Sequence, residues 1–415
     1  MRLLHVLHQY LPDHVGGTEL YTHWLTNALQ QQGQHQIAIF HRRSAPGAGL
    51  TRREEAGIGI WSAWHEPFTP VNRFTATFAD ASLADNFRRV LDATQPDLVH
   101  IQHLMGLPAQ FCHELRRRRI PYVVTLWDFW WVCANAQLLT NDTEEICDGP
   151  RAYLNCARCA LARSNRPQFA PARPLLALPL ALRALRLRGV LAGAARLIAP
   201  ANFVRDWYTA HGVPAEKLAV IPPGLEYPPD LRRRRGVEEG EQRPLRIGYI
   251  GGLSRQKGVH VLVEAFQGMA ADAELWIAGD PQFDPAYTAH LQTLATPQVR
   301  FLGRLDRAAI WQMLAQLDLV VVTSVWYETF CFVVSEAFAA GVPVIATDLG
   351  VLAERVRPGV DGLLVPPGDV AALRAALQQM HREPERLADL RRGIQPVPTM
   401  ADHAEVIRQT YVASI

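Results

Sequence analysis

Three residues of this 415-residue chain have types and spacing suited to holding a polar, phosphorylated ligand: Glu328, Glu336 and Lys257. Glu328 and Glu336 lie with seven residues between them in SVWYETFCFVVSEAFAAGVPVIATDLG, Ser324 to Gly350. The apolar period predicts a helix that begins near Thr329, carries Glu336 and stops at Gly341. The first turn of such a helix leaves backbone N–H groups unpaired and carries partial positive charge, which suits a diphosphate or the hydroxyls of a sugar. One carboxylate in the loop and one on the helix can accept hydrogen bonds from two separate hydroxyl pairs. Lys257 belongs to IGYIGGLSRQKGVHVLVEAF, read as a strand (Ile247 to Ile250), a turn with Gly251, Gly252 and Arg255, and a helix to about Phe266. Glycine lets backbone approach a phosphate closely, and an ammonium neutralises it as a point charge. The chain holds only two Lys, so composition alone would have put Arg here. The competing reading is a loop Glu in water and a helix-face Glu in a surface ion pair, the usual fate of isolated carboxylates.

Other constellations lie in the first half. In DHVGGTELYTHWLTNALQQQGQHQIAIF, Gly16 and Gly17 precede a helix to about Gln32. Their spacing is wrong for a dinucleotide fingerprint, which removes the main support for an oxidoreductase. The segment TLWDFWWVCANAQLL contains Trp127, Asp128, Phe129, Trp130 and Trp131. Its aromatics form either a stacking wall for a sugar or part of the core. Cys133, Cys147, Cys156 and Cys159 follow, with one pair two residues apart. They fit a structural zinc knuckle, or free or redox-active thiols. Finally, ARPLLALPLALRALRLRGVLAGAARL, Ala172 to Leu197, combines Leu-rich faces with Arg183, Arg186, Arg188 and Arg196. It suits a membrane interface or burial, with the prolines at 174 and 179 limiting its length.

The elements that must position these residues repeat as strand, loop, helix. RLLHVLH, HQIAIFH, DLVHIQ and YVVTLW are the strand-like runs of the first half, and LRIGYI, ELWIAG, VRFLG, DLVVVTS and VPVIATD those of the second. Alternation of this kind implies parallel sheets covered on both faces, hence an α/β chain of two doubly wound, Rossmann-like domains. Proline, glycine and charge replace any apolar period from Pro222 to Pro244. The expected boundaries are an N-terminal domain at 1–225 with a Cys-containing insertion at about 133–160, a linker at 226–244, a C-terminal domain at 245–395, and a returning helix at 396–415. Ligands of open parallel sheets collect beyond the carboxyl ends of the strands, so a cleft between two facing domains is expected to draw residues from both.

The segment from Ser324 to Gly350 closely resembles the signature of family-4 glycosyltransferases, retaining enzymes of the GT-B fold, and the resemblance runs through both halves in the same order. It implies that Glu336 binds the ribose of a nucleotide. Glu328 and the stretch Phe330, Cys331, Phe332 and Val333 would hold the donor sugar. Gly251, Gly252, Arg255 and Lys257 would face the donor diphosphate, and Gly16 and Gly17 the phosphate and reacting sugar. Relatives commonly have Gly at the position of Cys331, Arg at that of Gly252, and His at that of Trp127. Indole neither accepts nor relays a proton, so His103 or Asp128 would cover a His-dependent role, beside Glu328, in catalysis. In retaining GT-B enzymes the leaving diphosphate is thought to take the acceptor proton itself. Some relatives carry similar Cys after the Trp-rich strand.

The implied function is transfer of a sugar from a nucleoside diphosphate sugar to a saccharide or lipid-linked saccharide acceptor, in cell-surface polysaccharide or glycoconjugate synthesis. The alternatives are another GT-B enzyme, such as a phosphorylase or sugar-nucleotide epimerase, and a non-catalytic carbohydrate-binding relative. No Asp-x-Asp stands at a strand end, so no catalytic metal is expected and zinc only as a structural ion. Residues 1 to 200 hold 21 Arg, no Lys and 15 acidic residues, a net +6, while the remainder is net −4. By charge alone the basic half suits an anionic membrane surface, a phosphate-bearing acceptor, nucleic acid or simple solvation; with the resemblance taken in, no nucleic-acid partner is expected. No apolar run approaches a membrane span, and the start lacks a cleavage site. The expected place is the cytoplasm, with peripheral contact at the inner membrane face.

Overall fold

A computed structural model describes residues 1–228, 231 and 243–415. The Arg232 to Pro244 part of the expected linker therefore lies outside the described residues apart from its last two positions. The chain divides into two compact units, one of Met1–Gly224 with Met400–Ile415 and the other of Leu225–Thr399. Leu225 N–H donates to the Pro398 carbonyl at 3.1 Å and Tyr227 hydroxyl to the Val397 carbonyl at 3.0 Å. By contact these stretches fall in the second unit, whereas the sequence reading puts Leu225 in the N-terminal domain, Tyr227 in the linker and residues 397–399 in the returning segment.

The first unit carries an eight-stranded sheet in the order β3-β4-β2-β1-β5-β6-β7-β8. Its strands are β1 (Arg2–Leu7), β2 (Gln36–Ser44), β3 (Gly49–Glu55), β4 (Ile58–His65), β5 (Leu98–Ile101), β6 (Tyr122–Thr125), β7 (Arg196–Ala199) and β8 (Leu218–Val220). All neighbours pair in parallel except β3 and β4, an antiparallel edge hairpin. β1, β5 and β6 are buried almost throughout, as strands covered on both faces must be. The Gly17–Gln31 helix follows β1. The closing helix, Met400–Val412, is tied in by two hydrogen bonds, His403 Nε2 with Tyr21 hydroxyl at 2.8 Å and Tyr411 hydroxyl with His100 Nδ1 at 2.6 Å. A helix from Arg173 to Gly193 runs straight through Pro179, contrary to the expectation that its prolines would limit it.

The second unit holds six parallel strands in the order β11-β10-β9-β12-β13-β14. They are β9 (Leu245–Ile250), β10 (Ala273–Ala278), β11 (Val299–Gly303), β12 (Leu319–Val322), β13 (Val344–Thr347) and β14 (Gly362–Val365). Counted within the unit this order is 3-2-1-4-5-6, the doubly wound arrangement. Asp284, Asp306 and Asp369 each cap a following helix by accepting a backbone N–H, which fixes where those helices start. Ile247, Leu275, Val321 and Ile345 from four strands pack with Leu262, Phe266, Leu373 and Leu377 from helices in one core.

Candidate active site

Strand order in the second unit reverses between β9 and β12, and ligands of open α/β sheets bind beyond the carboxyl ends of such a pair. β9 runs into Gly251, Gly252, a short turn at Arg255–Lys257 and the Val259–Phe266 helix. β12 runs into Ser324, Glu328, Cys331 and a helix at Phe332–Ala339. The two loops touch because Gly258 lets them: its φ is +66°, and a Cβ there would stand 2.0 Å from the Thr323 carbonyl oxygen. Val325 N–H donates to Gln256 and Thr323 hydroxyl to Lys257, both at 3.0 Å to backbone carbonyls.

Lys257 and Glu328 meet at this junction. The ammonium is 2.7 Å from Glu328 Oε1, which also accepts from Ser324 hydroxyl at 2.6 Å and from Trp326 Nε1 at 3.0 Å. Trp326 additionally offers its ring face to Lys257, 5.2 Å away. Burial alone would raise the Glu328 carboxyl and lower the Lys257 ammonium. Their mutual attraction and the hydrogen bonds override it, so Glu328 ends below its ordinary value and Lys257 above. Both are charged at neutral pH, leaving a cation beside a carboxylate at the mouth of two strand ends.

The helix carrying Glu336 starts at Phe332, three residues later than the apolar pattern indicated. Its cap, Cys331, is left-handed with φ +61° and ψ +77°, a conformation that glycine adopts without the Cβ penalty. That accounts for the glycine expected at this position. Arg355 holds the turn: its Nη1 donates to the carbonyls of Phe330 and Cys331 at 2.5 and 2.9 Å, and its Nη2 to Ser335 hydroxyl at 2.6 Å. Burial brings the Arg355 guanidinium down to about 10 and pushes the Cys331 thiol up to about 12. Phe330 is buried against Phe332, with ring centroids 5.0 Å apart, while Val333 is half-buried at the helix start. Glu336 is 4% exposed and pairs with Arg307 from the Arg307–Gln316 helix. Both carboxylates are thus in ion pairs, yet buried ones at a strand-end crevice, unlike the surface pairs of the competing reading.

Of the expected cations, Arg255 is exposed, with its guanidinium 6.0 Å from the Tyr287 ring centre. Gly252 borders open space. Ser324, Trp326, Arg307 and Arg355 were not singled out from sequence. Ser324 and Trp326 adjoin Glu328 in the chain, whereas Arg307 and Arg355 arrive from other helices and left no local signal.

In the first unit the order reverses between β1 and β5. His103 follows β5 and Asp128 follows β6, and His103 Nε2 lies 3.0 Å from Asp128 Oδ2. Met105 N–H donates to His103 Nδ1 at 3.0 Å, so the ring proton is on Nε2, facing Asp128. Asp128 Oδ1 accepts from Trp130 N–H at 2.9 Å. The His8 ring, from the end of β1, lies 4.6 Å from that of His103, and burial holds its pKa well below the usual imidazole value. Gly16 caps the Gly17–Gln31 helix, and a Cβ there would stand 2.6 Å from Glu19 Oε2. Glu19 is buried, which raises its carboxyl pKa, and its Oε1 has no hydrogen-bond partner among the described residues. Sequence reasoning missed Glu19, although an acid two residues after Gly17 was a visible signal.

The aromatic stretch is core rather than a stacking wall. Trp127, Phe129, Trp130 and Trp131 are all buried, and Trp127 Nε1 donates to Gln102 Oε1 at 2.8 Å. The four Cys of the expected zinc set lie within electrostatic range of one another, and among the described residues no group of three or more His, Cys, Asp or Glu is arranged as a metal site. Cys133, Cys147, Cys156 and Cys159 are all free thiols. Cys159 accepts from Asn141 Nδ2 at 3.0 Å, while Cys147 points at the Gly149 carbonyl, 3.6 Å away. Burial raises Cys133, Cys156 and Cys159, which keeps their protons on.

Two doubly wound units, each with polar and ionisable side chains beyond its strand switch point, place the chain in the α/β class. Residues 16–224 match the glycosyl transferase 4-like domain and residues 232–395 the glycosyl transferases group 1 domain. The chain belongs to the family-4 glycosyltransferases and has the GT-B fold. It is 27% identical to D-inositol 3-phosphate glycosyltransferase of Nocardia farcinica over 342 residues, 74% of this chain and 72% of that one. Glycogen synthase of Mycobacterium tuberculosis is 33% identical over 145 residues, so that match spans only about a third of each protein, 34% and 35%. Sucrose-phosphate synthase from Thermosynechococcus elongatus superposes with a TM-score of 0.70 at 20% identity, over 99% of both chains. Anabaena HepE in complex with UDP and glucose gives 0.67 at 20%, also over 99% of both. Among the described residues no helix is long and apolar enough to cross a membrane.

Proposed function

We propose that the chain transfers a sugar from a nucleoside diphosphate sugar to a hydroxyl of a saccharide or lipid-linked saccharide, with retention at the anomeric carbon. The observation that carries this is the position of Lys257, Glu328 and Glu336 around one strand switch point. Lys257 meets the diphosphate, Glu336 accepts from the ribose hydroxyls, and Glu328 orients the donor sugar. Solved complexes of Anabaena HepE with UDP and with UDP-glucose support a donor of this kind. As the acceptor oxygen bonds to the anomeric carbon, the bond from that carbon to the diphosphate breaks. The diphosphate leaves with the electron pair and takes the acceptor proton. Charge on the leaving oxygen is what Lys257 stabilises.

The test is a thermal-shift panel of UDP-, GDP- and ADP-sugars on the intact protein, repeated with Glu336→Ala. A bound donor raises the midpoint in proportion to its affinity. Loss of Glu336 is expected to weaken binding roughly 10- to 100-fold, the worth of a hydrogen bond to a charged group. Unchanged affinity rules out the donor-site assignment. Nucleotide release that requires an acceptor separates a transferase from an epimerase, and the anomeric configuration of the product decides retention.

A further inference from the structure

The Arg173–Gly193 helix is apolar on two faces and covered on one. Ala177, Leu180, Ala184, Leu187, Val190 and Leu191 are buried, and Arg183 anchors the helix from the same side by donating to the Trp130 carbonyl at 2.7 Å. On the other face Leu175, Leu178, Leu182 and Leu185 are 77%, 61%, 50% and 63% exposed. At about 100° of rotation per residue these four leucines fall in one stripe, with Arg186 and Arg188, both exposed, on opposite flanks. Phe169, 49% exposed, lies just before the helix in sequence. A soluble surface does not ordinarily spend four leucines on one helix face.

Charge says what covers it. Between Asp148 and Asp206 the chain carries ten Arg and no Asp, Glu or Lys. A second copy presenting the same face would bring like charges together, which is costly. A bilayer with anionic headgroups meets both demands, since leucines enter the acyl boundary while the flanking guanidiniums reach the lipid phosphates.

We infer that the exposed face of this helix docks the protein on anionic membrane surfaces, with Leu175, Leu178, Leu182 and Leu185 inserted and Arg186 and Arg188 on the headgroups. The inference does not depend on the donor site and stands or falls separately from it. The helix lies flat in the interface and does not span it.

The experiment is flotation of the intact chain with phosphatidylcholine vesicles, with and without phosphatidylglycerol, beside the variant Leu178→Glu/Leu182→Glu and the variant Arg186→Glu/Arg188→Glu. Both pairs are exposed, so circular dichroism and the melting temperature should match the parent. The parent is expected to float with the anionic vesicles and to be released by salt. The leucine variant should lose at least roughly tenfold in partitioning, and the arginine variant about fivefold for each charge removed. Equal partitioning onto neutral vesicles, no partitioning at all, or unchanged binding by both variants would overturn the inference. So would a concentration-dependent dimer that the leucine variant abolishes, because the face would then belong to a second copy.

Discussion

Lys257 Nζ stands 2.7 Å from Glu328 Oε1, and that one oxygen also collects hydrogen bonds from Ser324 and Trp326. Glu328 is buried, and the Lys257 side chain is 28% exposed. Glu328→Gln leaves the ammonium without its counter-charge. Fully buried pairs broken this way cost about 3–5 kcal/mol, and the solvent access of Lys257 reduces the expectation to about 2 kcal/mol. A diphosphate would resupply the missing negative charge. The stability gap between parent and variant, measured by urea denaturation, is therefore expected to shrink at saturating nucleoside diphosphate. A gap that stays constant with nucleotide present would mean that Lys257 does not face phosphate.

Cys331 occupies a left-handed conformation at φ +61°, locked by Arg355 through the carbonyls on either side of the peptide it follows and the one it forms. An L-residue other than glycine is penalised there by about 1–2 kcal/mol, partly offset because glycine has more freedom to lose on folding. Cys331→Gly is expected to stabilise the second unit by up to about 1 kcal/mol, seen as a higher denaturant midpoint with unchanged slope. The same residue should resist alkylation at neutral pH, because burial lifts its thiol to about 12. A destabilised Cys331→Gly variant would show that the thiol makes contacts worth more than the backbone strain.

Where sequence and structure agree follows from what kind of signal each feature leaves. The β9 and β12 strands, the Gly251–Gly252 turn and the Glu328–Glu336 spacing are local, written in the apolar runs and glycines that covered parallel strands and tight turns require. The edge hairpin was not readable: β3, LTRREE in its middle, is polar because it is exposed. Arg307 and Arg355 reach the site from helices that look like any other surface helix, and only tertiary packing gives them buried partners. Pro179 misled because a proline inside a helix costs stability without forbidding it when the rest of the helix is well packed. Four cysteines close in sequence suggest a metal, and their thiols lie within electrostatic range of one another, with Cys159 and Cys147 also hydrogen-bonded to Asn141 and to the Gly149 carbonyl.

The first unit should be the acid-sensitive one. His5, His41 and His403 are buried, and burial lowers them to about 3, about 4 and about 4 from an ordinary 6.5. Above 6.5 both folded and unfolded chains keep these rings neutral. As the pH falls from about 6.5 toward 4 the unfolded chain takes up protons that the folded one refuses, so stability is lost through this window, by up to about 3 kcal/mol per ring. Glu19, raised by burial, works in the opposite sense, against these three and against His8, His35 and His100, which burial lowers as well. His5 Nε2 has no hydrogen-bond partner among the described residues. His5→Leu should flatten the pH dependence of unfolding, at the cost at pH 7.5 of the contact between His5 Nδ1 and Gln102 Nε2 at 3.4 Å. Hydrogen exchange at β1 and β2 and at the Met400–Val412 helix would resolve it, and an unaltered slope in the variant would exclude His5 as a contributor.

Gly252 offers a test by addition. Its backbone does not need glycine, as its φ is not among the left-handed ones, and a Cβ built there meets nothing within 4 Å. Arg255, the other cation of the turn, is exposed near Tyr287. Gly252→Arg is therefore expected to fold normally and to add a second cation beside Lys257. A guanidinium matches phosphate geometry with paired donors, unlike the single ammonium point charge. Affinity for a nucleoside diphosphate sugar should rise about tenfold at low salt, the worth of one charge-assisted hydrogen bond at a part-exposed site. The gain should fade as ionic strength rises, because an exposed charge is screened. Calorimetric titration at two salt concentrations reads both effects. A gain that is independent of salt would point to a change in loop packing, and no gain at either concentration would place the diphosphate away from this turn.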